Sequence, residues 1–224
     1  MRACGACGVS LTGRTLPVRA AHFAACNAAQ VEESRSRGAL PTYSSTHSDL
    51  RHAVRVCVEE AGIEAVEEED DLVEGTRERP GDITAYLSTH IVAIDVTVVH
   101  LQTTSSCGTA ARYPGRPVET EELRKRNVYG DRLRAGVRFV PFAVDDYGHI
   151  GDAGMALLEQ LAAHATETRG ADFRHGRSVA DRRGYWMARW QERIAWAVHA
   201  GIDRSLQRRL ALSRRLARPG AGLG

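Results

Sequence analysis

Residues 79–100 constrain the fold more than any other stretch of the chain. Ile83, Ala85 and Leu87 alternate with other residues, Ser88-Thr89-His90 has the composition of a turn, and residues 91–99 are almost continuously apolar and β-branched. Alternation followed by a short run of this kind predicts a β-hairpin. Two carboxylates interrupt it. Asp82 opens the first strand behind Pro80 and Gly81, and Asp95 stands in the middle of the second. A carboxylate among valines and isoleucines is costly to bury unless it is paired or holds a metal ion. Asp82 and Asp95 are therefore the first candidates for chemistry.

The 224 residues are enough for one sizeable core with a small satellite module. A composition 43% hydrophobic and 26% charged is that of an ordinary globular protein. No apolar run approaches the roughly 20 residues that span a bilayer, and Met1-Arg2 runs on to Cys4 without the apolar core of a signal peptide. The expectation is an intracellular protein with no membrane partner. Its net charge of +2 conceals an asymmetry: residues 32–95 hold 15 acids against 6 arginines, and residues 169–218 hold 13 arginines against 4 acids. An acidic centre beside a basic tail suits a site that holds metal next to a segment that holds phosphate, and equally two solvated faces. Lys125 is the only lysine.

The cysteines are Cys4, Cys7, Cys26, Cys57 and Cys107. Cys4-x2-Cys7 followed by His22-x3-Cys26 has the spacing of a small tetrahedral zinc site, with one chelating pair on a tight turn and one on a helical turn. The alternative is a stray reducible pair beside a histidine on a helix face. Cys57 falls on an apolar helix stripe and Cys107 has no partner at ligand spacing, so neither takes a role. Residues 30–42 are polar, with Gly38 and Pro41, and form a linker.

Ser45-Thr46-His47 supplies capping residues for a helix that runs through Glu60 and closes at Gly62; Leu50, Val54, Cys57 and Ala61 share its inward face. His52, beside that stripe, is expected to be structural. A short strand at residues 63–66 precedes the acidic run 67–71, one member of which could face the hairpin carboxylates. Residues 101–117 are expected to be a loop. A second helix is predicted from Thr120 to Gly136, with Leu123, Val128 and Leu133 inward and Lys125 and Tyr129 sharing a face at i, i+4. Residues 137–144 form a strand in which Pro141 demands an edge position. Asp152 caps a third helix. In the tail, Trp186, Trp190, Ile194, Val198, Ile202, Leu206 and Leu210 step by four; Gly201 is expected to divide this helix, and the tryptophans are expected to pack. Three units follow: residues 1–30, a CCHC zinc knuckle with structural Zn²⁺; residues 43–168, a mixed α/β core; and residues 176–218, a basic amphipathic helical tail.

Two carboxylates leaving neighbouring strands are hard oxygen ligands and favour Mg²⁺ or Mn²⁺. Such an ion generates hydroxide from bound water and neutralises a phosphoryl group, and a nearby lysine stabilises the charge that develops. This is the equipment of a phosphodiester hydrolase. The chain lacks the His-x-Glu of a zinc deaminase, a phosphate-binding glycine loop and a nucleophile elbow.

The order Cys4-x2-Cys7, His22-x3-Cys26, Arg51-His52, Arg79-Pro80-Gly81-Asp82, Ile94-Asp95-Val96-Thr97-Val98, Lys125-x3-Tyr129 and Phe139-Val140-Pro141-Phe142 resembles the C-terminal part of site-specific non-LTR retrotransposon polyproteins. There a zinc knuckle precedes a restriction-like endonuclease of the PD-(D/E)XK superfamily. The resemblance covers roughly residues 4–165. It implies a restriction-endonuclease-like mixed sheet flanked by helices, target-site nicking of DNA, retroelement RNA as a further partner, and a nuclear location. It further implies catalytic roles for Asp82, Asp95, Lys125 and Tyr129, with Asp82 and Asp95 as ligands of Mg²⁺ or Mn²⁺. Gly81 between Pro80 and Asp82, the long span from Asp95 to Lys125 and the absence of reverse transcriptase motifs are departures, and the chain reads as an end fragment of such a polyprotein. A catalytically inert, zinc-containing nucleic-acid-binding module and a zinc-stabilised interaction protein are the alternatives.

Overall fold

The computed structural model describes residues 45–73, 75, 76, 78–101, 104–169 and 178–216. The predicted zinc set Cys4, Cys7, His22 and Cys26 lies outside them. Helix α1 (Ser45–Glu60) buries Leu50, Ala53, Val54, Cys57 and Val58 on one stripe. It stops because Gly62 takes φ 83°: the Gly62 amide donates to Glu59 O at 2.9 Å and the Ile63 amide to Val58 O at 3.2 Å, the two bonds of a Schellman ending.

Strand β1 (Glu64–Glu67) leads through the acidic run to β2 (Ile83–Tyr86) and β3 (Ile91–Val99). Strand β4 (Val137–Asp145) follows two helices later. The sheet order is β1-β2-β3-β4, antiparallel across the first two pairs and parallel between β3 and β4. The architecture is a mixed α/β fold, a four-stranded mixed sheet flanked by helices. The hairpin pairs Tyr86 with Ile91 and Ile83 with Ile94. β3 is paired on both sides, which accounts for its near-continuous apolar sequence. β4 is an edge, so Pro141, opposite Asp95, lacks an amide where no neighbouring strand would use it.

Three expectations are corrected between β3 and β4. Residues 104–112 form a helix, α2 (Thr104–Arg112), where a loop was expected; its Ser, Thr, Gly and Ala content carries no apolar stripe to announce it. Helix α3 spans Arg116–Tyr129, starting a turn before Thr120, with Pro117 in the first turn, where its missing amide costs nothing. This sets the phase of α3. Leu123 and Val128 are exposed, Leu133 lies beyond the helix, and the inward positions are Val118, Glu122, Lys125 and Tyr129, spaced four, three and four.

Helix α4 (Asp152–Thr168) buries Leu157, Leu158, Leu161, Ala162 and Ala165. Its N-cap is Gly151 rather than Asp152. The capping oxygen comes from α3: Glu122 Oε2 accepts from the Ala153 amide at 3.3 Å. A Cβ on Gly151 would stand 2.1 Å from Glu122 Oε1, so the glycine makes room for the carboxylate. Burial raises the Glu122 pKa, against the Ala153 and Gly154 amides that lower it.

Helix α5 (Val179–Leu216) runs unbroken through Gly201, correcting the expected division. A Cβ there would lie 2.5 Å from Thr46 Cα and 2.9 Å from Asp49 Oδ2; Gly201 permits α1 and α5 to touch. At the other end of α1, Glu60 accepts from Trp190 Nε1 at 2.8 Å and from Arg189 and Arg193 at 2.8 and 2.7 Å. Trp186, Trp190, Ile194 and Val198 belong to the same buried cluster as Leu50, Val96 and Phe142. Trp186 and Trp190 pack, as expected, while Trp196 is exposed; α5 completes the core. Among the described residues no helix is long and apolar enough to cross a membrane.

Candidate active site

Asp82 owes its position to Gly81. The Asp82 amide donates to the carbonyl of Ile94, the partner of Ile83, at 2.8 Å, which keeps this segment against β3 just before β2 begins. A Cβ on Gly81 would meet Ile94 O at 2.9 Å and Ile94 N at 3.0 Å. The glycine that separates Pro80 from Asp82 is thus required by the close passage of this segment along β3. Asp82 Oδ2 accepts from the Val96 amide at 2.8 Å, which aims the carboxylate at the adjacent strand. Asp95 belongs to the opposite face of β3 from Val92, Ile94 and Val96, by the two-residue period of a strand.

Asp82, Asp95 and Lys125 converge. Lys125 Nζ lies 2.7 Å from Asp95 Oδ2. Asp82 and Asp95 are each 8% exposed, so neither is displayed to bulk water. A fourth group joins them: His47, from the first turn of α1, places Nε2 3.3 Å from Asp82 Oδ2 and 3.0 Å from Val96 O. Tyr129, one turn beyond Lys125, lines the same space and packs against Phe139 at 5.5 Å between ring centroids. Together they line an open polar cleft of about 630 Å³.

The two carboxyls are driven apart in acidity. Burial pushes Asp82 upward, but the hydrogen bond and charge of His47, the Val96 amide and the Lys125 charge outweigh it and hold the pKa below its ordinary value. For Asp95 burial wins: the hydrogen bond and charge of Lys125 oppose it, the Asp82 charge adds to it, and the pKa rises. A pair of acids pushed apart by their surroundings is a recurrent mark of functional sites.

The acidic run frames one side of the cleft. Glu68 lines it and is held by Arg51 at 2.7 Å and Arg79 at 2.9 Å, while Arg79 also binds Asp70. Glu68 is in a left-handed conformation, φ 52°, which costs a non-glycine residue on the order of 1 kcal/mol; its amide donates to Asp82 O at 3.1 Å. The expectation that one acid of the run faces the hairpin carboxylates falls on Glu68, which reaches the cleft already neutralised by two arginines. On the other side Glu121 binds Arg124 at 2.6 and 2.8 Å.

Sequence reasoning missed His47, which it treated only as part of a helix start. Nothing local marks it; its place depends on how α1 packs against β3 and α5. For metal, Asp82 and Asp95 supply hard oxygens, a donor set that suits Mg²⁺ or Mn²⁺. Among the described residues no group of three or more His, Cys, Asp or Glu side chains is arranged to hold an ion by itself, so a main-chain oxygen or substrate would have to complete the set. Compared with known proteins, the chain matches no family model and no curated protein.

Proposed function

We propose that the chain is a metal-dependent DNA endonuclease, with Asp82 and Asp95 as the acid pair and Lys125 as the cation at the attacked phosphate. The observation that carries this reading is the placement of Lys125 Nζ 2.7 Å from Asp95 at the edge of an open cleft, with Asp82 just ahead of the neighbouring strand. A divalent cation held by the two acids would supply a hydroxide from bound water and neutralise the phosphoryl oxygens. Lys125 is oriented by Asp95 so that its ammonium donates toward the charge developing on the phosphate. Tyr129 shares the helix face of Lys125 at i, i+4 and lines the same cleft. Arg79 and Arg124 line the cleft, where a flanking phosphate would compete with their carboxylate partners Glu68, Asp70 and Glu121.

The same reading takes in Cys4, Cys7, His22 and Cys26 as a structural zinc knuckle, with DNA and retroelement RNA as partners. It also takes in a restriction-like core at the end of a non-LTR retrotransposon polyprotein and a nuclear location. Its support is the order of the motifs. The test is nicking of supercoiled plasmid with Mg²⁺ or Mn²⁺ by the full chain and by Asp95→Ala. Nicking by the wild type alone is expected; equal nicking by both, or by neither, refutes it.

One observation favours an inert nucleic-acid-binding module instead: Lys125 is neutralised within the protein by Asp95. That alternative predicts DNA binding that weakens steeply with salt and no cleavage with either metal.

A further inference from the structure

We infer that His47 Nε2 is itself a ligand of the divalent cation, alongside Asp82 Oδ2 and the Val96 carbonyl oxygen. This inference rests on the nuclease reading and adds an imidazole to an acid pair that the sequence presents as all oxygen. His47 Nε2 lies 3.0 Å from Val96 O and 3.3 Å from Asp82 Oδ2. Neighbouring ligands at right angles around an ion with bonds of about 2.1 Å stand about 3.0 Å apart. The imidazole nitrogen therefore already stands at the spacing of a neighbouring ligand from each of the two oxygens. Val96 O and Asp82 Oδ2 are both acceptors, so one N–H facing them is shared between two oxygens. A cation in that space satisfies both and also takes the nitrogen lone pair.

The histidine is also prepositioned. It stands next to Thr46, whose Cα would be 2.5 Å from a Cβ on Gly201, so the contact between α1 and α5 fixes the turn that carries the imidazole. Its side chain is 13% exposed. Asp95 is shared with Lys125, so a further donor beside the acid pair strengthens the set. No three side chains of the metal-binding types are already gathered among the described residues, so the Val96 carbonyl oxygen would join His47 and the acid pair around the ion. An imidazole in an otherwise oxygen set shifts preference toward Mn²⁺ and away from Mg²⁺.

Pulsed electron paramagnetic resonance of Mn²⁺ bound to the zinc-loaded full chain, without DNA, reads this directly. A nitrogen coupling from a coordinated imidazole is expected in the wild type and is lost in His47→Gln. Mn²⁺ affinity should fall by at least about 10-fold, since even outer-shell partners of a metal site are worth about 10- to 100-fold, and Mg²⁺ affinity should fall less. Loss of the same coupling in Asp82→Asn ties the signal to this site should His47→Gln fold poorly. Binding that depends on Asp82 but shows no nitrogen coupling, or a coupling that persists in His47→Gln, overturns the role of His47 and leaves the acid pair intact. Absence of any Asp82-dependent binding overturns both.

Discussion

Two alanine substitutions in helix α5 should move stability in opposite directions. Gly184 and Gly201 are both inside this helix. A Cβ on Gly184 meets nothing within 4 Å, whereas one on Gly201 meets Thr46 Cα at 2.5 Å, Asp49 Oδ2 at 2.9 Å and Thr46 Cβ at 3.0 Å. Exchanging glycine for alanine inside a helix gains about 1 kcal/mol at either position. At Gly184 that gain stands alone. At Gly201 it is set against overpacking, which costs about 1–3 kcal/mol and falls at the upper end here because the obstacle is a backbone atom. Gly184→Ala should therefore stabilise the protein by about 1 kcal/mol, and Gly201→Ala should destabilise it by about 2 kcal/mol net. For a chain of this size each kcal/mol is worth roughly 2–4 °C in Tm, so thermal and urea unfolding of the two variants suffice. Equal stabilisation by both substitutions would refute the close approach of α1 and α5, and with it the account of how His47 reaches the site.

The acid pair makes a second prediction of opposed signs. Asp82 is more acidic folded than unfolded, so its ionised form contributes stability above the unfolded carboxyl pKa, and that contribution is lost as pH falls through the lowered folded value. Asp82→Asn should cost about 1.5–3 kcal/mol at neutral pH through the lost charge-assisted bonds, and should flatten the acid limb of the stability profile. Asp95 has a raised folded pKa, so its ionisation on going to neutral pH costs stability; Asp95→Asn should match or exceed the wild-type Tm at pH 7, and a marked drop there would contradict the burial argument. Gly81→Ala presses a Cβ against the Ile94 backbone and should destabilise by about 1–3 kcal/mol, with Asp82 displaced from Val96. An unperturbed Tm in that variant would count against the Gly81 contact.

What the sequence made legible follows from local physics. The hairpin is written in the two-residue alternation of Ile83, Ala85 and Leu87, and Pro141 marks the edge strand because it lacks an amide. Asp82 and Asp95 stand out because carboxylates are expensive among β-branched residues. Lys125 and Tyr129 share a face because a helix repeats every 3.6 residues. The misreadings have an equally physical cause. Helix α3 turns a partly polar stripe inward, since its inward face is a wall of the cleft, so following the apolar residues put Leu123 and Val128 on the wrong side. The four-three-four spacing of Val118, Glu122, Lys125 and Tyr129 was available as a pattern, but only the sheet shows that it faces in. Gly201 reads as a helix division because a sequence does not reveal what passes against it. His47 lies 35 residues before Asp82, and no local pattern encodes a distance set by the packing of three elements.

The central claim is that Lys125 works on a phosphate beside a metal-binding acid pair. Its most direct measurement is single-turnover nicking of supercoiled plasmid by the wild type and by Lys125→Met, with DNA affinity measured in parallel. The account predicts that Lys125→Met loses about 10²- to 10³-fold in nicking rate, the usual loss when a donor to transition-state charge is removed, while its affinity for DNA is nearly unchanged. A variant that nicks as fast as the wild type, or a wild type that binds DNA and never nicks it with Mg²⁺ or Mn²⁺, would contradict it.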